Sequence, residues 1–169
     1  SSQLTYASPS KPVLEFYDTR NDPHQIHNLA TDPAHEDRIA EMLAQLEDWM
    51  IGTSDLGFLT EAQMWNRVGS ATPWDIRHQP DRYDLSSILA AAGNVGNAPR
   101  TEDLGSPDPA VRYWAAKAVA NITERGQLPL GQQQQLLELL EQALGNEEDP
   151  AVLAELLKAL NALNIPAAK

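Results

Sequence analysis

Four residues that suit the opening of a helix occur twice in this chain. Asp108-Pro109-Ala110-Val111 returns as Asp149-Pro150-Ala151-Val152, an offset of 41 residues. In each copy the aspartate is placed to cap a helix N-terminus. The proline fits the first helical position, where its missing N–H leaves no bond unmade. The residues that follow carry apolar faces: Val111, Trp114, Ala115, Ala118, Val119 and Ile122 in the first copy, then Val152, Leu153, Leu156, Leu157, Leu160 and Leu163 in the second. Between them a helix is expected over 131–144, carrying Leu136, Leu137, Leu139, Leu140, Ala143 and Leu144. Paired helices repeating at about 40 residues bury their faces against neighbouring copies, so this half reads as a stacked array.

That array resembles HEAT repeats, an α-solenoid family, over roughly residues 106–165. The stretch DPAVRYWAAKAV carries the likeness, and small alanines at 115, 116 and 118 would let helices approach closely. The second copy has Leu153 where the first has Arg112. Two units are fewer than the three or so that usually close a continuous core.

The first half reads differently. Residues 1–11 are Ser-rich and aperiodic, expected as a disordered lead-in, and the absence of an initiating Met points to a processed or truncated chain. Residues 13–18, VLEFYD, alternate as a strand would, with Leu14 and Phe16 on one face, but nothing else in the chain reads as a partner strand. Asn21, Asp22 and Pro23 favour a reversal. Asp32 and Pro33 should start a long helix whose stripe is Ile39, Met42, Leu43, Leu46, Trp49 and Met50, stopping near Gly52. Thr60 and Gln63 are spaced as a capping box. Residues 71–83 read as a connection, and Asp84 caps a short helix ending at Gly93.

Residues 14–49 resemble the C-terminal subdomain of the sulfatase family, in the N-sulfoglucosamine sulfohydrolase and heparan-sulfatase-like branch. The residues that carry this are Phe16-Tyr17-Asp18, Asp22-Pro23, Asn28-Leu29-Ala30 and Asp32-Pro33; Thr19 and Gln25 depart from the usual pattern. Residues 53–63 are similar to the segment that follows in some bacterial members. The fold expected from both resemblances is mainly α: a short strand plus helix of a sulfatase C-terminal subdomain over 12–70, then a HEAT-like α-solenoid over 84–165. The resemblance implies a non-catalytic tail whose partner is an upstream catalytic domain, with a periplasmic, lysosomal or secreted location. A free-standing HEAT-like scaffold that binds another protein, or associates with itself, is the alternative.

Sulfatase chemistry uses a formylglycine made within a C/S-x-P-x-R motif, and a calcium ion that neutralises the sulfate. The chain has no cysteine, and its Ser-Pro segments at 8–11 and 106–109 lack the arginine and the spacing. No catalytic, cofactor-binding or metal residue is therefore assigned; calcium and formylglycine are expected upstream. With 24 acidic residues against 12 Lys and Arg, both halves are acidic, so nucleic acid and anionic membranes are not expected as partners. Asp22, His24 and His27 cluster but suit a solvated turn. Gly93 to Asn97 lacks the strand and the Lys-Ser/Thr of a phosphate loop, and Gln132 to Gln135 suits a solvated helix start. Trp49 and Trp114 fall on apolar faces and are expected in the core. Trp65 and Trp74 remain as candidate contacts for a carbohydrate or a neighbouring domain.

Incubated with aryl sulfates and calcium, the isolated chain should release no sulfate; turnover proportional to chain concentration would overturn the assignment of a non-catalytic chain.

Overall fold

The computed structural model describes residues 11–128 and 131–164. Two compact units make up the chain, the first ending at Thr53 and the second beginning at Ser54. Apart from Lys11, the expected lead-in at 1–11 lies outside the described residues, as does residue 165 at the expected end of the array. The described residues are mainly α, with seven α-helices and three short 3-10 turns among them.

One part of the expected fold is corrected. Val13–Asp18 is not a strand, and no strand occurs among the described residues. A strand needs a ladder of backbone partners; here a side chain supplies the bonds instead. Phe16 N donates to Asn28 Oδ1 at 2.9 Å, and Asn28 Nδ2 donates to the Leu14 carbonyl at 3.0 Å. The Leu29 amide then donates to the Phe16 carbonyl at 2.8 Å. One carboxamide thus satisfies the segment locally, and the period-2 alternation never becomes a sheet.

The rest of the first unit is one helix and its approach. Asp32 Oδ1 accepts from Ala34 N at 2.9 Å and opens a 3-10 turn, Pro33–His35, which leads into α1, Glu36–Thr53. Helix α1 ends next to Gly52, as the spacing predicts. Its last residue is Thr53, whose Oγ1 donates back to the Trp49 carbonyl at 2.8 Å, and Ser54 takes the left-handed backbone conformation (φ 49°) that ends it. Of the stripe on α1, Ile39 is buried, whereas Met42, Leu43, Leu46 and Trp49 are 44%, 44%, 48% and 60% exposed. Trp49 is therefore not a core residue.

The second unit runs through α2 (Glu61–Val68), α3 (Pro73–Ile76), α4 (Leu85–Ala92), α5 (Pro109–Glu124), α6 (Gln133–Asn146) and α7 (Pro150–Asn164). The two repeated tetrapeptides do open helices, α5 and α7. Ala110 N donates to Asp108 Oδ1 at 2.8 Å and Ala151 N to Asp149 Oδ1 at 2.9 Å, with a proline at the first position of each helix. These two helices pack on each other more extensively than any other pair. Ala115, Ala116, Val119 and Ala120 of α5 form one buried cluster with Leu136 and Leu140 of α6 and with Val152, Leu156 and Ala159 of α7. Alanines along α5 permit that approach because interaxial distance follows side-chain size at the contact. Trp114 is partly buried rather than central; its indole N–H donates to the Phe58 carbonyl at 2.8 Å.

Helix α2 holds both repeat starts. Thr60 and Gln63 form the expected capping box, which uses the Gln63 carboxamide oxygen. The nitrogen of the same carboxamide donates to the Pro109 carbonyl at 3.2 Å and to Asp149 Oδ2 at 3.4 Å. One turn later on α2, Arg67 forms a two-pronged ion pair with Asp108, Nη1 to Oδ2 at 3.1 Å and Nη2 to Oδ1. Residues 71–83 fold back on α2: Arg82 donates to the Arg67 and Val68 carbonyls, Arg67 donates to the Arg82 carbonyl at 2.8 Å, and Ile76 and Tyr83 are buried.

Gln63 is 1% exposed, so its replacement tests the clamp. Gln63→Met should lower unfolding stability by about 1–3 kcal/mol, because the Asp149 and Pro109 oxygens lose a partner. Gln63→Glu should cost more, roughly 3–5 kcal/mol, because a buried charge then faces the Asp149 carboxylate. Urea unfolding followed by circular dichroism reads both, and equal, negligible losses would show that Gln63 does not hold the repeat starts.

Candidate interaction sites

The segment of the first unit from Phe16 to Ala30 resolves into turn chemistry. Asp18 accepts from Arg20 N at 3.0 Å and from the Asn21 side chain at 2.6 Å; these bonds, with that from Asn21 N, hold its carboxyl below its ordinary value. Asp22 Oδ2 accepts from Ile26 N and His27 N, both at 2.7 Å, and Pro23 and a left-handed Gln25 (φ 52°) complete the reversal. Asn28 Oδ1 also accepts from Ala30 N at 3.0 Å. The asparagine of Asn28-Leu29-Ala30 therefore ties the segment before the turn to the segment after it. Sequence reasoning recognised this motif but missed what its asparagine does. The spacing of twelve residues between Phe16 and Asn28 is too long for a local turn signal.

The Asp22, His24 and His27 cluster is spent on that turn. His27 Nδ1 lies 3.7 Å from Asp22 Oδ2, and its side chain is 80% exposed. Among the described residues there is no group of three or more His, Asp or Glu side chains placed to hold a metal ion. No described helix is long and apolar enough to cross a membrane.

A polar groove lies between the 3-10 turn Thr101–Gly105 and α6, lined by Glu102, Ser106, Arg112, Gln142, Asn146 and Glu147. Arg112 and Glu147 are committed to each other, and Glu102 pairs with Arg100 outside the lining. Arg112 Nε and Nη2 grip Glu147 Oε2 and Oε1 at 2.6 and 2.8 Å, and Arg112 Nη1 donates to the Ser106 carbonyl at 2.8 Å. Burial pushes the Glu147 carboxyl up, but the Arg112 bonds and the amides of Asp149 and Glu148 outweigh it, so its pKa is lowered overall. The groove positions the start of α7 rather than offering a free charge.

Trp65 and Trp74 stand apart from the core, 54% and 64% exposed. The Trp65 indole N–H donates to Glu61 Oε1 at 3.3 Å within α2. Trp74, on α3, has a different setting: the Arg77 guanidinium lies 4.4 Å from its ring centroid and the His78 ring 5.0 Å away. The sequence marks this cluster only by the i+3 and i+4 spacing of Arg77 and His78 from Trp74.

Neither a protein-family profile nor a solved structure matches this chain. An ulvan-active sulfatase of Formosa agariphila is similar, with 27% identity over 66 residues. Part of this chain is sulfatase-like. The similarity covers 39% of this chain and 11% of that sulfatase, so it concerns a small part of a much longer protein.

The lowered Glu147 carboxyl has a measurable consequence. A carboxyl whose folded pKa lies below its unfolded value of about 4.3 stabilises the fold above that pH, and the contribution is lost as pH falls through the folded value. Melting temperatures across pH 3–7 should therefore drop more steeply in acid for the unaltered chain than for Glu147→Gln, which is less stable at pH 7. Parallel curves would detach Glu147 from the acid response.

Proposed function

We propose that this chain is a non-catalytic, C-terminal part of a sulfatase, a sulfuric ester or sulfamate hydrolase, which completes the enzyme structurally. The observation that carries this reading is the partial likeness to the ulvan-active sulfatase. The Phe16-Tyr17-Asp18, Asp22-Pro23 and Asn28-Leu29-Ala30 motif supports it, since each polar member that bonds there has a defined role in one turn. The catalytic formylglycine and its calcium belong, in this reading, to the upstream domain, and no residue of this chain is assigned to them.

Helix α1 is the surface through which the chain would hold that domain. Met42, Leu43, Leu46 and Trp49 recur at helical spacing and are each close to half exposed or more. Covering such side chains is worth roughly 1–2 kcal/mol apiece, enough together to seat one domain on another. The flanking charges Glu36, Asp37, Glu41, Glu47 and Asp48 outnumber Arg38, which favours a receiving groove with a basic rim.

The second reading is a free-standing HEAT-like scaffold for another protein. What favours it is the matched capping of α5 and α7, which lie side by side although 41 residues separate their starts. Coding sequence decides between the two: a C/S-x-P-x-R motif upstream in the same reading frame supports the sulfatase part, whereas an initiation site just before Ser1 supports the scaffold.

The surface on α1 has its own test. The isolated chain should bind an apolar dye or self-associate, and Leu43→Glu with Leu46→Glu should abolish both. The same pair of changes in the full-length sulfatase should lower the melting temperature of its catalytic domain. A dye-silent monomer, or a catalytic domain indifferent to the changes, would overturn the docking role.

A further inference from the structure

Helices α5 and α7 open at equivalent points of the 41-residue repeat, each with a capping aspartate followed by a proline at the first helical position. Each position of α5 therefore has a counterpart 41 residues later on α7. Ala116 and Ala120 correspond to Leu157 and Asn161, Arg112 corresponds to Leu153, and Lys117 corresponds to Lys158.

On α5 these positions are used against the next repeat. Ala116 and Ala120 are 0% and 1% exposed and lie in the buried cluster that α5 shares with α6 and α7. Lys117, at their border, reaches across to Glu155 of α7, Nζ to Oε1 at 3.4 Å. Close packing with one lysine-to-glutamate bridge at its edge thus joins α5 to α7.

On α7 the counterparts stand at the surface. Leu157 is 50% exposed and Asn161 is exposed, and with the partly buried Leu153 they form a stripe at i, i+4 and i+8. Lys158 stands beside that stripe, half exposed. It turns back to Glu124 of α5, which is 3.8 Å away and also half exposed, a pairing that solvent screens heavily. The lysine that should bridge forward by its place in the repeat is held only loosely behind.

We infer that this face of α7 docks an amphipathic helix of a partner protein, laid along α7 as α7 lies along α5, with a glutamate that meets Lys158. The stripe at helical spacing fits the apolar ridge of a helix. The charge follows from the repeat: Lys117 meets Glu155, so Lys158 selects an acid at the matching position of the incoming helix. Leu157 in the place of Ala116 sets the two axes further apart than those of α5 and α7 and supplies more apolar area. Asn161 adds a donor and an acceptor that help to fix the register. The face belongs to the second unit, and the inference rests on neither reading of the whole chain.

A labelled synthetic peptide of residues 149–164 provides a helix with Glu155 in the required position. Mixed with the full 169-residue chain, it should show a saturable rise in fluorescence anisotropy. Leu157→Ser in the chain should weaken binding about tenfold, the scale of one buried leucine. Lys158→Glu should weaken it roughly two- to fivefold, the scale of an exposed ion pair, and a peptide carrying Glu155→Lys should restore it. Cooperative thermal unfolding of both variant chains would show that the loss of binding is a loss of the surface and not of the fold. Failure of the peptide to bind the unaltered chain would overturn the inference. So would binding indifferent to both substitutions, the result expected if the peptide replaces the chain's own α7. Self-association of the chain that Leu157→Ser abolishes would put a second copy on this face and overturn the partner helix.

Discussion

An aspartate that caps a helix with one carboxylate oxygen keeps capacity to accept further bonds, and in this protein that capacity ties the helix starts of the second unit together. Asp108 gives Oδ1 to Ala110 N and presents its carboxylate to Arg67; Asp149 gives Oδ1 to Ala151 N and Oδ2 to Gln63. Gln63 and Arg67 are four residues apart on α2, so they share a face and reach the two repeat starts together. Each cap therefore closes its own helix and also fixes that helix against α2. The apolar cluster of α5, α6 and α7 then packs beneath a set of helix starts already held in register.

The buried glutamine shows why this arrangement needs a neutral amide. Its oxygen serves the capping box and its nitrogen serves a carbonyl and a carboxylate, so both ends of the group are used within the protein. Arg67, only partly buried, meets a full carboxylate with its planar fork, where its charge is matched. The first unit uses the same economy on a smaller scale: one asparagine carboxamide takes the Phe16 amide, the Ala30 amide and the Leu14 carbonyl. In both units a side-chain amide pairs with backbone groups from separate segments.

These bonds also separate scaffold from surface. The motif residues Asp18, Asp22 and Asn28 are occupied with turns, and Arg112 and Glu147 with each other. The large apolar side chains that stay exposed include the stripe of α1 and the indoles of Trp65 and Trp74. That distribution suits a part that holds or contacts something else.

Features carried by neighbours in sequence were legible without a structure: the caps Asp32, Asp84, Asp108 and Asp149, the box of Thr60 and Gln63, and the helical spacing of the leucines. Each depends on bonds spanning two to four residues, which residue type and spacing prescribe. The alternation of Val13 to Asp18 misled because alternation sets which face a side chain takes, while a strand exists only if a ladder partner is present. Trp49 misled similarly, since periodicity defines a stripe but not what covers it. The reach of Gln63 to Asp149 spans 86 residues and that of Arg67 to Asp108 spans 41. Local sequence thus determined where helices start, and tertiary structure decided what their caps and faces meet, because those partners are brought near only by the folding of the whole unit.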